Sequence, residues 1–319
     1  MWIVTGGCGF IGSSIVAGLN QQGITDIMVV DDLKNGQKFL NLQDCKIADY
    51  LDKDSFRARI AAGQSFGPAG SVSAILHQGA CSDTMEYDGT FMMENNYEYS
   101  KDVLQFSQTI QAPLIYASTA ATYGASTKFC EQEENEHPLN VYGWSKLMFD
   151  RYVRSHMDSF TSTVIGLRYF NVYGSREGFK GRMASVIHQF LQQCQREGKI
   201  RMFEGSGKYT AGEQRRDFVY VGDLVNLNLF FAQGKSPSGV YNAGTGKSRS
   251  FNDVGRAVIS ALGQGSIEYI PFPEGLKEKY QNFTEADLTK LRAAGYKASF
   301  TELESGVLQV AQEIKKRSL

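Results

Sequence analysis

Few features of this chain speak for an oxidising compartment, a metal or a polyanionic partner. Its five cysteines (Cys8, Cys45, Cys81, Cys130 and Cys194) are scattered, odd in number, and never at CxxC or other metal-ligand spacing. A disulfide framework and a metal site are not expected, and reduced thiols fit a cytoplasmic protein. No apolar run approaches the roughly 20 residues that span a bilayer, so no membrane association is expected. The stretch Met1-Trp2-Ile3-Val4-Thr5 lacks a basic head and runs into glycines, which reads as a first strand instead of a signal peptide. The net charge of -1 projects no field toward nucleic acid or lipid. There is no internal repeat and no low-complexity tract. What remains is 319 residues, 42% hydrophobic and 21% charged, enough for one large or two modest domains around a real core.

The apolar run Trp2–Thr5 predicts a strand. Glycines follow it, and Ile11, Ile15 and Leu19 then repeat at helical spacing through Phe10–Gln22. Ile27–Val30 is a second apolar run that ends in Asp31-Asp32. Strand, glycine turn, helix, strand and acid within about 30 residues form the βαβ pattern of a dinucleotide-binding half. In Gly6-x-x-Gly9-x-x-Gly12 the first glycine permits a tight turn, the second lets a pyrophosphate approach the backbone, and the third lets helix pack on sheet. The helix N-terminus adds unpaired N–H groups for the phosphates. Asp31 suits an adenine-ribose hydroxyl and thus NAD, whereas Lys34, Lys38 and Lys53 could pair with the 2′-phosphate of NADP. Chemistry alone leaves NAD and NADP open.

The alternation continues. Ser73–His77 and Ala112–Ala117 predict a third and a fourth strand, with a helix through Tyr97–Thr109 between them. Tyr142–Ser155 predicts another helix and Thr163–Arg168 a fifth strand. Short apolar strands interleaved with helices point to the α/β class, a Rossmann-type doubly wound parallel sheet. After Tyr173 the rhythm changes. Arg216–Phe231 reads as a strand and helix returning to the sheet, Val240–Asn242 as one more strand, and Gly265–Leu319 as a smaller lobe closed by a helix at Phe300–Lys316. The expected organisation is a dinucleotide-binding domain from 1–174 plus about 216–262, and a smaller α/β substrate lobe from 175–215 and 263–319.

Tyr142-Gly143-Trp144-Ser145-Lys146 sets a phenol and an ammonium four residues apart, on one face of a helix. A free phenol titrates near pH 10, too high for a base at neutral pH. A neighbouring ammonium favours the phenolate. Lys146 can therefore polarise Tyr142 while holding a ribose. Ala117-Ser118-Thr119-Ala120 lies where a sheet strand should end, at the edge where such sheets bind ligands, so Ser118 or Thr119 can offer a hydroxyl to a reacting oxygen. The alternative for this hydroxyl pair is local bonding at a strand end.

With these motifs and with Tyr169-Phe170-Asn171-Val172-Tyr173-Gly174, the chain resembles the extended short-chain dehydrogenase/reductase superfamily. Longer blocks run from His77-Gln78-Gly79-Ala80-Cys81-Ser82 through Met92-Met93-Glu94-Asn95-Asn96-Tyr97, Phe203-Glu204-Gly205-Ser206 and Arg216-Asp217-Phe218-Val219-Tyr220-Val221-Gly222-Asp223 to Tyr280-Gln281-Asn282-Phe283-Thr284. These resemble the ADP-L-glycero-D-manno-heptose 6-epimerase branch of that superfamily, over nearly the whole chain. The resemblance implies an isomerase with tightly held NADP, an ADP-heptose substrate for the lipopolysaccharide inner core, and a homo-oligomer. It implies cofactor contacts at Phe10, Ile11, Asp31, Asp32, Lys38, Lys53, Gln78, Gly79, Ala80, Cys81, Ser82, Asn95, Lys146, Val172 and Lys180. Substrate contacts are implied at Asn171, in the region from Arg182 to His188, at Phe203, Glu204, Gly205 and Ser206, and at Arg216 and Tyr280. It also implies two acid/base groups, Tyr142 and Lys180, on opposite sides of a carbon that is oxidised to a ketone and rebuilt.

The chain departs from the pattern in places. Arg182 stands where a serine is usual, Thr119 replaces a serine, Asp32 replaces an asparagine, and Tyr209–Gln214 reads as extra loop residues. The rival readings are another nucleotide-sugar epimerase, a dehydratase, or a non-catalytic NADP-binding regulator on the same fold. Dehydratases of the superfamily carry an acidic pair after the strand-end hydroxyl. Here Ala120-Ala121 occupies that place.

Overall fold

A computed structural model describes residues 1–67, 70–275, 277 and 280–317. The strands are β1 (Trp2–Thr5), β2 (Ile27–Asp31), β3 (Asp49–Asp52), β4 (Ala74–His77), β5 (Leu114–Thr119), β6 (Val164–Tyr169), β7 (Asn171–Tyr173), β8 (Lys199–Phe203), β9 (Arg215–Tyr220), β10 (Gly239–Ala243), β11 (Ser248–Ser250) and β12 (Ser266–Ile270). The helices are α1 (Phe10–Gln21), α2 (Lys53–Ala61), α3 (Gly89–Met93), α4 (Tyr99–Thr109), α5 (Val141–His156), α6 (Val186–Glu197), α7 (Val221–Phe231), α8 (Phe251–Leu262), α9 (Thr289–Ala293) and α10 (Leu303–Arg317). None of the described helices is long and apolar enough to cross a membrane.

The chain divides into two compact units. The first comprises Met1–Tyr169, Leu224–Ala243 and Thr289–Lys297, and the second Phe170–Asp223, Gly244–Leu288 and Ala298–Leu319. The first is built on a seven-stranded sheet in the order β10-β6-β5-β4-β1-β2-β3, every neighbouring pair parallel. Its central strands read as apolar runs because both faces are covered; Ile3, Val4, Ile75, Leu76, Leu114 and Ile115 are fully buried. Each such side chain contributes about 1.5–3 kcal/mol on leaving water. Strand order reverses at β1 and β4, the crevice where doubly wound sheets take their ligand.

The second unit holds a three-stranded sheet, β11-β9-β7, and a two-stranded parallel pair, β12-β8. Its core gathers Tyr173, Ile187, Phe190, Leu191, Val254, Val258 and Val307 from β7, α6, α8 and α10.

The structure departs from the sequence expectations in specific places. β3 was not foreseen. β9, read as returning to the large sheet, instead pairs with β7 and β11. Only Leu224–Ala243 and Thr289–Lys297 rejoin the first unit, not the whole stretch from 216 to 262, and the first crossing falls after Tyr169 instead of near 174. The helix expected from Tyr97 is preceded by a wide π turn, Glu94–Glu98, a feature often found at functional sites.

Candidate active site

The glycine turn joins β1 to α1. Gly6 has φ +64°, and a Cβ there would stand 2.7 Å from the Gly79 nitrogen, so β1 and β4 close on each other only with glycine present. A Cβ on Gly12 would meet the Gly6 carbonyl at 2.1 Å. Gly9 caps α1 without a side-chain bond, which leaves Phe10, Ile11 and Gly12 at the positive end of the helix dipole. The Gly9 Cβ direction is open but for the Gly6 oxygen at 3.1 Å, so a side chain would fill the cradle that a pyrophosphate needs.

At the end of β2, the Asp31 carboxylate accepts from the amides of Cys8 and Asp32 and from Lys38 Nζ, each at 2.7 Å. Lys38 also donates to the Asp32 carbonyl at 2.5 Å. Burial, with Asp31 adding to it, pushes the Cys8 thiol up to about 12, so this cysteine is an inert neutral group. Lys53 begins α2 and donates to Asn95 Oδ1 in the π turn at 2.9 Å. Asp31, Lys38, Lys53 and Asn95 thus lie at the end of the sheet where an adenosine ribose belongs. The glycine cradle and this donor set fit a nicotinamide dinucleotide.

Gln78 follows β4 and is held by Tyr169 Oη at 3.0 Å and by its own bond to Asn228 Oδ1 at 3.3 Å. Gly79 donates to Thr5 Oγ1. Ser100 donates to the Asn96 carbonyl, so it accepts from His77 Nε2; the other ring nitrogen then accepts from Thr5. Burial lowers His77 to about 3, with Lys146 adding to the effect, so the ring is neutral and structural. Ala80 and Ser82 are exposed, and Cys81 is pinned at both backbone groups by Asn96, which also donates to Ser145 Oγ at 3.0 Å. Asn96 escaped the sequence reading. It ties the Cys81 loop to α5 between Tyr142 and Lys146.

Asn140 caps α5 through the Gly143 amide, and the helix delivers Tyr142 and Lys146 one turn apart. Lys146 is 4% exposed and donates to the Ala117 carbonyl at 3.0 Å. Burial lowers its ammonium to about 8 against an opposing pull from Asp150, so it stays charged at neutral pH. Burial raises the Tyr142 phenol, and hydrogen bonding with Thr119 counters that rise. The two strand-end hydroxyls separate here. Successive side chains of a strand point to opposite faces, so Thr119 meets Tyr142 while Ser118 donates to Asp150 Oδ2 at 2.9 Å. Of the two hydroxyls, Ser118 or Thr119, offered for the reacting oxygen, Ser118 is the one bonded to the buried Asp150.

Beneath it lies a buried charge cluster that the sequence reading passed over. Asp150 also accepts from Tyr116 Oη and Arg168 Nε, both at 2.9 Å. Arg168 bonds Glu136, which Arg154 clamps with two bonds of 2.6 and 2.7 Å. The available signal was spacing: Tyr142, Lys146 and Asp150 continue one helical stripe.

The second unit carries the remaining residues. Arg216 on β9 is 7% exposed, and no carboxylate among the described residues pairs with it. Its guanidinium carbon sits 5.2 Å from the Tyr280 ring centre and 5.8 Å from that of Phe251. A buried cation without a counter-ion suits an incoming anion, and its planar fork suits phosphate. Phe203 ends β8, stacks on Phe272 at 4.5 Å and meets Tyr280 edge-on at 6.1 Å. Glu204 and Gly205 lead to Ser206, whose backbone exchanges both bonds with Tyr209. Arg216, Tyr280 and the segment from Phe203 to Ser206 are therefore neighbours. The loop from Tyr209 to Gln214 is anchored by Asn252, which donates to Ala211 O and Glu213 Oε1. Asn171 and Val172 lie on β7, Lys180 in a 3₁₀ stretch, Gly178–Met183, and Arg182 is exposed within it. His188 is buried on α6; its Nε2 is bonded to Gln192, and its Nδ1 is buried without a hydrogen-bond partner among the described residues.

Residues 2–244 match the model of the NAD dependent epimerase/dehydratase family. The chain belongs to that family. The ADP-L-glycero-D-manno-heptose-6-epimerase of Alkalilimnicola ehrlichii is 54% identical over 307 residues, 96% of this chain and 95% of the relative. Among solved structures, the enzyme of the same name from Helicobacter pylori superposes with a TM-score of 0.83 at 28% identity, covering 98% of this chain and 96% of that one. The UDP-glucose 4-epimerase of Thermus thermophilus, in complex with NAD, gives 0.77 at 25% identity over 98% of both chains. Family and neighbours alike support a nicotinamide cofactor.

Proposed function

We propose that this chain is an isomerase that epimerises ADP-D-glycero-D-manno-heptose at carbon six to the L-glycero form, a precursor of the lipopolysaccharide inner core, in the cytoplasm and as a homo-oligomer. The observation that carries the epimerase reading is 54% identity across nearly the full length of an enzyme so named. The local chemistry agrees with it. Glycines 6, 9 and 12 and the start of α1 would hold the pyrophosphate, Lys146 the nicotinamide ribose, and Asp31, Lys38 and Lys53 the adenosine end. A nicotinamide dinucleotide bound there accepts and returns a hydride, which lets the sugar carbon pass through a planar ketone. Tyr142, engaged by Thr119 and backed by the Lys146 ammonium, moves the alcohol proton on one face. By resemblance to the epimerase branch, Lys180 is assigned as the second proton-transfer group. Arg216 and Tyr280 grip the diphosphate. The missing acidic pair at Ala120-Ala121 speaks against elimination of water.

NADP is the cofactor form we assign. Lys38 already neutralises Asp31, which removes the repulsion that an uncompensated carboxylate would exert on a 2′-phosphate. Replacing Lys38 with alanine is expected to weaken NADP by about 10–100-fold, the worth of a charge-assisted hydrogen bond, and NAD far less. Calorimetric titration of cofactor-stripped protein measures both; an equal loss for the two dinucleotides would remove Lys38 from phosphate recognition. Lys180→Met is expected to lower interconversion by about 10²-fold or more while ADP-sugar affinity stays close to normal. Incubation with ADP-D-glycero-D-manno-heptose, followed by NMR for the second epimer, tests the whole assignment. Tight dinucleotide binding without a new epimer would favour a regulator on this fold.

A further inference from the structure

Lys180 rides on a segment held by one buried acid. Glu177, directly before the 3₁₀ stretch, is 1% exposed. Its carboxylate accepts from the Gly174 amide at 3.1 Å, the Ser185 amide at 2.6 Å and the Ser185 hydroxyl at 2.6 Å. One side chain therefore joins both ends of the segment from 174 to 185. Ser185 passes the restraint on, since its hydroxyl caps α6 by accepting from the His188 amide at 3.2 Å. Helix α6 is itself fixed by Ile187, Phe190 and Leu191 in the second unit's core.

Three polar groups converge on this carboxylate, which presents acceptors to all of them. An amide would turn N–H toward a donor. The Lys180 amide donates to the Glu177 carbonyl at 3.0 Å, closing a 3₁₀ turn.

We infer that Glu177 is a positioning residue for Lys180: it holds the segment that presents the lysine and supplies the negative charge that keeps a desolvated ammonium available. This rests on the assignment of Lys180 as the second proton-transfer group. The electrostatics run the same way in both directions. Burial lowers Lys180 and Glu177 raises it, while burial raises Glu177 and Lys180 opposes that rise. The other charged or titratable groups on and around the segment in this unit are Arg176, Arg182, His188 on α6, and Glu313 on α10, the last held by Ser175 and Tyr220. Neutralising Glu177 removes an upward pull, so the pH limb governed by Lys180 moves to lower pH.

The test compares Glu177→Gln, Glu177→Asp and Lys180→Met in the epimerisation assay across pH. Glu177→Gln is expected to lower kcat by about tenfold or more, to leave KM within about twofold, and to shift one limb of the kcat profile toward acid. Glu177→Asp keeps the charge, so its limb is expected to stay in place. An unmoved limb in Glu177→Gln, with Lys180→Met inactive, overturns the role of Glu177 and leaves Lys180 standing. Normal turnover in Lys180→Met removes both. Should Glu177→Gln not fold, Ser185→Ala retains the carboxylate and breaks one tie; a kcat equal to wild type there overturns the clamp.

Discussion

Replacing Tyr142 with phenylalanine is expected to cut epimerisation by about 10²–10⁴-fold, the usual worth of a positioned acid/base group. That corresponds to about 3–5 kcal/mol of barrier. The substitution removes one oxygen and leaves the ring to pack as before. Lys146 keeps its bond to the Ala117 carbonyl and the Asn96 tie to Ser145 is untouched, so dinucleotide affinity should change little. The phenol matters because of where it stands. Burial raises it, Thr119 counters, and an ammonium with a pKa of about 8 sits one helical turn away. The resting group is thus a neutral acid whose anion is favoured by the Thr119 hydrogen bond. NMR-monitored turnover with fluorescence-measured cofactor binding separates the two effects. Turnover within a few-fold of wild type would strip Tyr142 of this role.

Arg168→Met is expected to cost about 3–5 kcal/mol of stability, the penalty for leaving a buried partner uncompensated. Arg168 is fully buried, bonds both Asp150 and Glu136, and lies 4.9 Å from the Tyr123 ring centre. Glu136 would retain Arg154. Asp150 would keep hydrogen bonds only from the hydroxyls of Tyr116 and Ser118, with the charges of Lys146 and Arg154 acting on it without a direct bond. The urea midpoint at unchanged slope reads the loss directly. A midpoint equal to wild type would mean that the cluster contributes nothing net. Removing the acid as well, in Arg168→Met with Asp150→Leu, should recover part of the loss, because a buried pair replaced whole by apolar groups is often neutral. Such rescue would tie the effect to the unpaired charge and not to lost volume.

The first βαβ unit was legible because its signals are local: an apolar strand, three glycines, a helical stripe and a terminal acid lie consecutively. The Tyr142–Lys146 pair was legible for the same reason. β3 was not, since Asp49-Tyr50-Leu51-Asp52 shows no apolar run, and its place at the sheet edge comes from pairing with β2. The sheet that receives β9 is a matter of long-range pairing that an apolar run cannot specify. The choice between Ser118 and Thr119 depended on strand parity, which a one-residue shift inverts. Asp150, Glu136 and Arg168 look like ordinary surface charges until the fold brings them together.

The polypeptide crosses between its units after Tyr169, Asp223, Ala243, Leu288 and Lys297. No uninterrupted length of gene encodes either one. A fragment stopping at Tyr169 would strip β10 from β6 and leave a raw, apolar sheet margin of the sort that recruits other chains. Nicotinamide recognition therefore cannot be lifted from this protein as a cassette by truncation. Swapping sugar specificity between relatives would need several interleaved grafts made at once.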